Sequence, residues 1–285
     1  MLDQASSLRK LMENNNNYKE SKAKIITITS GKGGVGKSNL VINIAIALQQ
    51  EGKKVLIFDA DIGMGNDDIL LGIFPKYNIY DLLEKNLNIE EIIVEGPLGV
   101  GLLSGGSGIN KIEELSQNQR SLFLNKLMSL DKYDYILMDT GAGISKNVMA
   151  FIAACDELII TTTPEPTALT DAYALLKASK HYGLKDKASV IVNKCFTENE
   201  GDDTFKKFKA ASKKFLNVDL NFLGCVLDDK KLEEAVRERI PVLIRYPSTK
   251  ASRSIYSIGK KILGVSNINK KGVGDFFKKL FDIFV

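Results

Sequence analysis

The chain has 285 residues, of which 44% are apolar and 26% are charged, and its formal net charge is +4. These values are typical of one α/β domain of roughly 250 residues with short extensions, and the mild charge does not by itself indicate a nucleic-acid-binding protein. Three widely separated cysteines without a CxxC pair argue against a disulfide framework or a zinc site, and a single histidine argues against histidine-based catalysis. Because the chain begins without an apolar core and contains no long uncharged run, we expect a cytoplasmic protein that is neither secreted nor membrane-spanning.

The first 22 residues are predicted to form a short helix and a linker ahead of the main domain. Apolar residues recur there at near-helical spacing, at Leu2, Ala5, Leu8, Leu11 and Met12. A tract of asparagines at 14–17 follows, and the polar stretch YKESKAK comes after it. Polar, low-complexity sequence of this kind favours a linker.

Residues 23–265 alternate apolar runs of strand length with helical stretches. The strand-length runs are KIITITS, KVLIFDAD, GVGLLSG, YDYILMDTG, DELIITTTP, ASVIVNK and NFLGCVL. Helical patterns lie between several of these runs, for example in PTALTDAYALLKASKHYG. Continuous apolar strands that alternate with helices indicate an α/β fold with a mostly parallel, twisted sheet and helices on both faces.

A phosphate-binding loop follows the first predicted strand and opens a helix. It has the pattern Gly31-x-x-x-x-Gly36-Lys37-Ser38. The glycines let backbone N–H groups point at phosphate oxygens, and the start of the helix adds a partial positive charge. Lys37 is predicted to bridge the β- and γ-phosphates, and Ser38 to ligate Mg²⁺ through its hydroxyl.

Three carboxylates fall at the ends of two predicted strands. Asp59 and Asp61 end the second strand, and Asp139 ends the run YDYILMDTG. Because the carboxyl ends of parallel strands gather at one edge of a sheet, we expect these residues to lie near the phosphate loop. Gly141 and Gly143 then give a loop that could place a backbone N–H on the γ-phosphate.

These motifs together resemble those of a known family. GKGGVGKS resembles the deviant Walker A signature of MinD, ParA and related dimeric ATPases, and DADIGMGNDD and MDTGAG resemble the two switch segments of that family. The match runs from about Lys24 to Gly264. The resemblance implies a P-loop NTPase fold of the SIMIBI type, ATP hydrolysis with Mg²⁺, and an ATP-dependent homodimer.

The same resemblance implies individual roles. Lys32 would be the signature lysine that crosses the dimer interface to the partner's phosphates, and Asp61 would orient or activate the attacking water. Asp59 and Asp139, together with the loop serine, would support Mg²⁺ and its water shell, and Asn193 would contact the adenine ring. The implied nucleotide-binding set is Gly31, Lys32, Gly33, Gly34, Val35, Gly36, Lys37, Ser38, Asn39 and Asn193.

The C-terminal segment, residues 266–285, is predicted to be a linker followed by an amphipathic helix that stands apart from the domain. Its apolar arc includes Phe276, Phe277, Leu280, Phe281 and Phe284, and lysines precede it. A short helix of this kind is typical of an anionic membrane surface, and it resembles the membrane-targeting tail of MinD. We therefore expect reversible, peripheral binding at the inner face of the cell membrane. The alternative is a terminal helix packed on its own domain.

The N-terminal stretch DQASSLRKL resembles the DQAxxLR motif of the FlhG (YlxH) family, MinD-like ATPases that control flagellar number and placement. The resemblance implies that this segment stimulates an FlhF-type GTPase of the signal-recognition-particle class, and that flagellar basal-body components are further partners. The residues that carry the motif and would make the contacts are Asp3, Gln4, Ala5, Leu8 and Arg9.

Two other functions stay open from the sequence. A division-site MinD should lack the leading helix, whereas a DNA-partitioning ParA-type ATPase would present a basic patch to duplex DNA. The lysine-rich run at 206–214 is compatible with the second, although such runs usually form a solvated helix face, so DNA is the less favoured partner. Paired cysteines are missing from the sequence, which argues against a metal-cluster carrier.

Overall fold

The computed structural model describes residues 23–61, 65–106, 115–264 and 272–284. Within these residues the strands form one sheet, and its helices lie on both faces. In chain order the strands are β1 (Lys24–Ser30), β2 (Val55–Ala60), β3 (Val94–Glu95), β4 (Gly101–Ser104), β5 (Tyr135–Ala142), β6 (Glu157–Thr162), β7 (Lys187–Cys195) and β8 (Asp219–Leu227). Their spatial order is β3-β4-β2-β5-β1-β6-β7-β8, and all neighbours are parallel except β3 and β4.

The helices of the described residues include short single turns and long covering helices. They are α1 (Lys37–Gln50), α2 (Asp67–Leu71), α3 (Asp81–Glu84), α4 (Ile89–Ile92), α5 (Gln117–Leu127), α6 (Lys146–Ala154), α7 (Pro166–His181), α8 (Glu198–Leu216), α9 (Lys230–Glu238), α10 (Val242–Arg245), α11 (Lys250–Gly264) and α12 (Gly272–Phe284). The described residues also contain two 3₁₀ turns, Pro97–Gly99 and Met128–Lys132.

The central strand β1 shows why the sheet forms. All seven of its residues are buried, and β-branched side chains dominate it. Side chains alternate across the sheet, so Ile25 joins one apolar core while Ile26 and Ile28 join the other. The order places β1 between β5 and β6, so the loop after β1 opens at the carboxyl edge where such folds bind ligands.

The predicted α/β class and the parallel sheet are confirmed, and each of the seven predicted strands is present. The antiparallel β3 was not predicted, because two residues are too short for a periodic signal. Helix α8 begins at Glu198, because the side chain of Thr197 accepts a hydrogen bond from the backbone N–H of Glu200 and caps the helix.

The position of helix α12 contradicts the expectation that the C-terminal segment stands apart from the domain. Instead its apolar face is part of the core, in contact mainly with α6 and α5. The buried side chains are Val273, Phe276, Phe277, Leu280 and Phe281, none more than 4% exposed. The Phe284 side chain lies outside the described residues. No helix among the described residues is long and apolar enough to cross a bilayer.

Aromatic contacts hold α12 in place. The ring of Phe277 lies 6.2 Å from the rings of both Phe58 and Phe123, and the ring of Phe281 lies 5.8 Å from that of Phe123. An amphipathic helix can remove its apolar face from water either by packing on a domain or by entering lipid. Its sequence pattern therefore does not distinguish the two.

Candidate functional site

The phosphate-binding loop takes its shape from Gly36. This residue has φ of 86°, in the left-handed region, and precedes Lys37, the first residue of α1. A Cβ at Gly36 would lie 2.4 Å from Nδ2 of Asn193, so the position accepts only glycine. No side chain caps the first turn of α1, and its N–H groups therefore face the loop, as phosphate binding at a helix N-terminus requires.

A cleft of about 920 Å³ opens in front of the loop. Asp61 lines it together with the residues that follow β5, and Phe151 of α6 also reaches it. Gly31 stands at the beginning of the loop, close to the backbone of Asp171 in α7. The predicted loop residues that line the cleft are Gly33, Gly34, Val35, Gly36, Lys37, Ser38 and Asn39.

Lys37 and Asp139 form a buried ion pair at the inner end of the cleft. Lys37 Nζ lies 2.5 Å from Oδ1 of Asp139, and the two side chains are 8% and 2% exposed. Asp139 lies beside Asp59 because β5 and β2 are paired in that register. The structure thus brings together the loop lysine and two of the three predicted carboxylates.

Asp59 is held from the other side by Gly65 and Asp61. A Cβ at Gly65 would lie 2.2 Å from Asp59 Oδ2, so a larger residue there would displace this carboxylate, and the backbone N–H of Asp61 donates to Asp59 Oδ1 at 3.1 Å. Burial, together with the charges of Asp139 and Asp61, raises the pKa of Asp59 to about 7. The Asp61 side chain itself faces Gly141 at the cleft, where a nucleotide's terminal phosphate would lie if the loop binds it.

Asp67 is a functional-site residue that the sequence reasoning did not assign. It is the first residue of α2 and fully buried, and its carboxyl group lies within hydrogen-bonding reach of the Asp139 carboxylate. Burial, followed by the charges of Asp139 and Asp59, raises its pKa well above the ordinary value. The sequence signal was the pair of adjacent aspartates, Asp67 and Asp68, at the end of the switch-like stretch DADIGMGNDD.

The arrangement fits a nucleotide-bound Mg²⁺. Asp59 and Asp139 lie side by side on β2 and β5, and carboxylate, hydroxyl and phosphate oxygens are the donors that Mg²⁺ prefers. Among the described residues, no group of three or more acidic, cysteine or histidine side chains is arranged to hold a metal alone. Mg²⁺ keeps several waters and is held mostly by substrate phosphates, so it needs few ligands from the protein. Ser38 lines the same cleft and would supply a hydroxyl ligand.

Lys32 does not point into this cleft. Its Nζ donates to Oε2 of Glu165 and to Oγ1 of Thr167, each at 2.9 Å, and it lines a second cavity of about 610 Å³. The ion pair is exposed, with side chains 39% and 65% accessible. Because exposed pairs are weak, Lys32 can exchange these partners for others at little cost.

Asn193 supports the loop in the structure. Its Nδ2 donates to the carbonyl of Val35 at 2.8 Å, and it lines an adjoining pocket of about 380 Å³ beside Asp228 and Asp229. Its neighbour Lys194 has φ of 56° and donates from Nζ to the carbonyl of Gly34 at 2.9 Å. The sequence reasoning assigned no role to Lys194. The predicted adenine contact of Asn193 stays a prediction.

Comparison with known proteins agrees with this geometry. A family model described as an AAA domain matches residues 23–191. The chain is 38% identical to the flagellum site-determining protein YlxH of Helicobacter pylori over 98% of each chain, and 33% identical to the antiactivator FleN of Pseudomonas aeruginosa over 84% of this chain and 85% of that protein. The chain belongs to the MinD/ParA family of ATPases.

A solved structure of this MinD/ParA group has the same fold. The septum site-determining protein MinD of Pyrococcus horikoshii, complexed with Mg-ADP, superimposes with a TM-score of 0.68 at 25% identity, covering 87% of this chain and 99% of that one. The predicted P-loop fold and ATPase class are thereby confirmed for this MinD/ParA-family chain. The predicted partner-binding residues lie outside the described residues, and they are Asp3, Gln4, Ala5, Leu8 and Arg9.

Proposed function

We propose that this ATPase regulates the number or placement of flagella by cycling between an ADP-bound or nucleotide-free monomer and an ATP-bound, membrane-associated dimer. The observation that carries the flagellar part is the similarity to YlxH, which is 38% identical over 98% of each chain. A division-site MinD is the second candidate, supported by the shared fold with MinD.

The DNA-partitioning alternative receives no support from the lysine-rich run on α8. Lys206 pairs with Asp203 at 3.2 Å, and Lys213 pairs with Asp219 at 3.0 Å. These carboxylates partly neutralise the helix face, which therefore offers less charge to a phosphate backbone than the sequence suggested.

Within the proposed cycle, each residue at the cleft has a separate task. The loop N–H groups and Lys37 hold the β- and γ-phosphates, and Asp61 orients the attacking water beside Gly141. Bound Mg²⁺ would neutralise charge on the phosphates, with Ser38 and the carboxylates Asp59 and Asp139 holding it and its waters. A positioned carboxylate that accepts a proton from water supplies the general-base part of hydrolysis.

We propose that Lys32 is the residue that makes the dimer depend on ATP. In the structure it is held only by exposed contacts, to Glu165 and Thr167, in a cavity next to the loop. A second subunit that presents ATP phosphates would be a stronger partner for an ammonium group than an exposed carboxylate, because the interface excludes water.

Lys32→Ala is expected to leave ATP binding by the monomer close to that of the parent but to weaken ATP-dependent dimerisation about tenfold or more. Light scattering coupled to size exclusion, with Mg²⁺-ATP, measures the dimer fraction. The matched control is Lys213→Ala, which removes another exposed, ion-paired lysine and should dimerise like the parent. An undiminished dimer in Lys32→Ala would contradict the cross-subunit role.

We propose that α12 binds the membrane only after leaving the position it has in the structure. Phe151 connects the two regions, because it lines the nucleotide cleft and its ring stacks on that of Phe276 at 6.3 Å. Phe58, which contacts Phe277, directly precedes Asp59. A change at the cleft on ATP binding therefore reaches the face that holds α12. Two released helices on one dimer would bind lipid with higher avidity than one.

A substitution on the exposed side of α12 tests membrane binding without disturbing the packing of this helix on the domain. Lys278 is exposed in the docked helix and would face lipid headgroups once α12 lies in the interface. Lys278→Glu replaces an attractive charge by a repulsive one, which should weaken binding to anionic membranes by roughly 2 kcal/mol per subunit.

The measurement is co-sedimentation with anionic liposomes in Mg²⁺-ATP and in ADP. Lys261→Glu, an equal charge change at an exposed residue of α11, is the control and should sediment like the parent. If Lys278→Glu also sedimented like the parent, α12 would not be the lipid-binding element.

We propose that the N-terminal segment stimulates an FlhF-type GTPase, with Gln4, Leu8 and Arg9 among its contacts. The proposal is supported by the motif DQASSLRKL and by the similarity to YlxH. A segment this short gains helical structure mainly against a partner, so its affinity should be modest.

Leu8→Ala and Arg9→Ala in the full-length chain should each reduce stimulation of GTP turnover at least severalfold, because each removes an anchoring contact. ATP binding by the same variants should be unchanged. Lys10→Ala, an adjacent basic residue outside the contact set, is the control. If both variants stimulated GTP turnover as fully as the parent, this segment would not be part of the partner interface.

A further inference from the structure

The sheet has an open edge at β8. This strand pairs with β7 on one side, and no strand lies beyond it among the described residues. In a parallel pair, every second residue directs its N–H and C=O groups to the neighbouring strand, and the residues between them direct theirs away. Within the part of the chain that the structure describes, the backbone of residues 220–227 is hydrogen-bonded to no segment except β7. The outer edge of β8 can therefore pair with one further strand.

A groove of about 680 Å³ follows this edge. Its floor is the stretch of β8 from Phe222 to Leu227, one wall is α11, and the other wall is the start of α8. The two helices pack on opposite faces of the sheet, because their apolar side chains belong to different cores. A strand added to β8 would place alternate side chains on the two faces, so one set would point toward α11 and the other toward α8.

The α11 wall of the groove is positively charged. Lys250, Arg253 and Lys261 are exposed and line it, and none of the three forms an ion pair among the described residues. Lys260 of the same helix lies outside the groove and pairs with Glu51 at 3.6 Å. The three unpaired cations lie on one side of the helix over about 16 Å, which is the length of about five residues of strand. This wall therefore favours carboxylates at alternate positions of an added strand.

The α8 wall has the opposite charge. Glu198 and Asp202 lie one turn apart at the start of the helix, both are exposed, and neither is ion-paired within the described part of the chain. Side chains that point toward this wall should therefore be basic. The two walls together match a strand whose two faces carry opposite charges.

We propose that the β8 edge binds an extended segment of another protein in which acidic and basic residues alternate, and that this segment joins the sheet as a further strand. Its acidic side chains face the cations of α11, and its basic side chains face the carboxylates of α8. Main-chain hydrogen bonds to β8 provide affinity, and the charge pattern provides specificity. The groove contains neither the phosphate loop nor α12, so this binding does not depend on the proposed nucleotide cycle.

A second copy of this chain fits the edge less well. The sequence of β8 is DLNFLGCVL, in which Asp219 is the one charged residue, so a pair of β8 strands would leave both walls without opposite charges. The strand also has an extra residue between the partners of Val190 and Ile191, where φ of Gly224 is 147°. Such bulges disfavour long edge-to-edge pairing of sheets, whereas a short peptide can still pair beside them.

The test uses fluorescence anisotropy of a labelled peptide of about eight residues in which Glu and Lys alternate, with full-length protein at low ionic strength. A peptide of the same composition, with its Glu residues in one block and its Lys residues in another, should bind about tenfold more weakly or worse, because it cannot place opposite charges on two faces. Arg253→Glu should weaken binding of the alternating peptide about tenfold. Lys260→Glu, an equal charge change outside the groove, should bind it like the parent. Lys250→Glu repeats the measurement if Arg253→Glu does not fold.

Strand addition is tested separately by N-methylation of the alternating peptide, since a methylated amide cannot donate to β8. Methylation of every second residue should abolish binding in one of the two possible sets and preserve it in the other, because only one edge of the added strand faces β8. Failure of the alternating peptide to bind, equal binding by the alternating and block peptides, or equal binding by the two methylated sets would each overturn the proposal. A dimer of the nucleotide-free protein that the alternating peptide dissociates, seen by light scattering, would assign the edge to a second copy and overturn it as well.

Discussion

Lys37→Ala is expected to weaken ATP binding more than about 100-fold, the largest effect of any single substitution in the site. The lysine is buried, and its Nζ reaches the inner end of the cleft, 2.5 Å from Asp139. Without it the phosphates lose their main side-chain counterion and face the carboxylates Asp59 and Asp139. Breaking this buried pair should also lower the free energy of unfolding by roughly 3–5 kcal/mol.

The measurement is calorimetry with Mg²⁺-ATP, and thermal unfolding by circular dichroism establishes that the variant is folded at the temperature used. The control is Lys194→Ala. Its Nζ contacts the same loop at the carbonyl of Gly34, but from an exposed position outside the main cleft. Lys194→Ala should therefore bind ATP nearly as the parent does. Parental affinity in folded Lys37→Ala would contradict the assignment of the phosphate loop.

Asp61→Ala is expected to bind ATP with nearly parental affinity and to hydrolyse it about 100-fold more slowly or worse. Asp61 lines the cleft next to Gly141 and lies outside the Lys37–Asp139 pair, so its loss should affect the attack of water more than phosphate binding. If the ATP-bound form dimerises, the variant should then accumulate as a dimer.

Phosphate release under single-turnover conditions measures hydrolysis, and light scattering measures the dimer. Asp61→Asn keeps the size of the side chain but removes its ability to accept a proton, so it should be nearly as slow as Asp61→Ala. Asp68 is a partly exposed aspartate of α2, and Asp68→Ala should hydrolyse ATP like the parent. A parental rate in Asp61→Ala would move the water-orienting role to another residue.

The phosphate loop and the carboxylate pair were predictable because both depend on local order. Gly36 and Lys37 follow from the loop motif, and the left-handed backbone at Gly36 is what the glycine implies. Asp59 and Asp139 end strands that prove to be neighbours in register, so the rule that strand ends meet at one edge was sufficient.

Asp67 and the partners of Lys32 were not predictable in this way. A helix of five residues gives no periodic pattern, so the burial of Asp67 depends on tertiary packing. The contacts of Lys32 lie at Glu165 and Thr167, more than 130 positions along the chain. Only the folded sheet, with β1 beside β6, brings these segments together.

The C-terminal helix shows a different limit of sequence reasoning. The helix and its apolar face were predicted, but the surface that covers the face was not. Phe277 contacts Phe58 and Phe123 inside the protein, and the same ring would suit a lipid interface. Deleting 272–285 would uncover these core residues, so a deletion tests stability together with membrane binding.

The central claim is that this MinD/ParA-family ATPase controls flagella, and the most direct test is a count of flagella per cell. Electron microscopy would compare the organism that encodes this chain with a strain in which the gene carries Asp61→Ala. The account predicts a changed number or position of flagella, with division septa in their normal places. Normal flagella together with misplaced septa would contradict it and assign the chain to division-site selection.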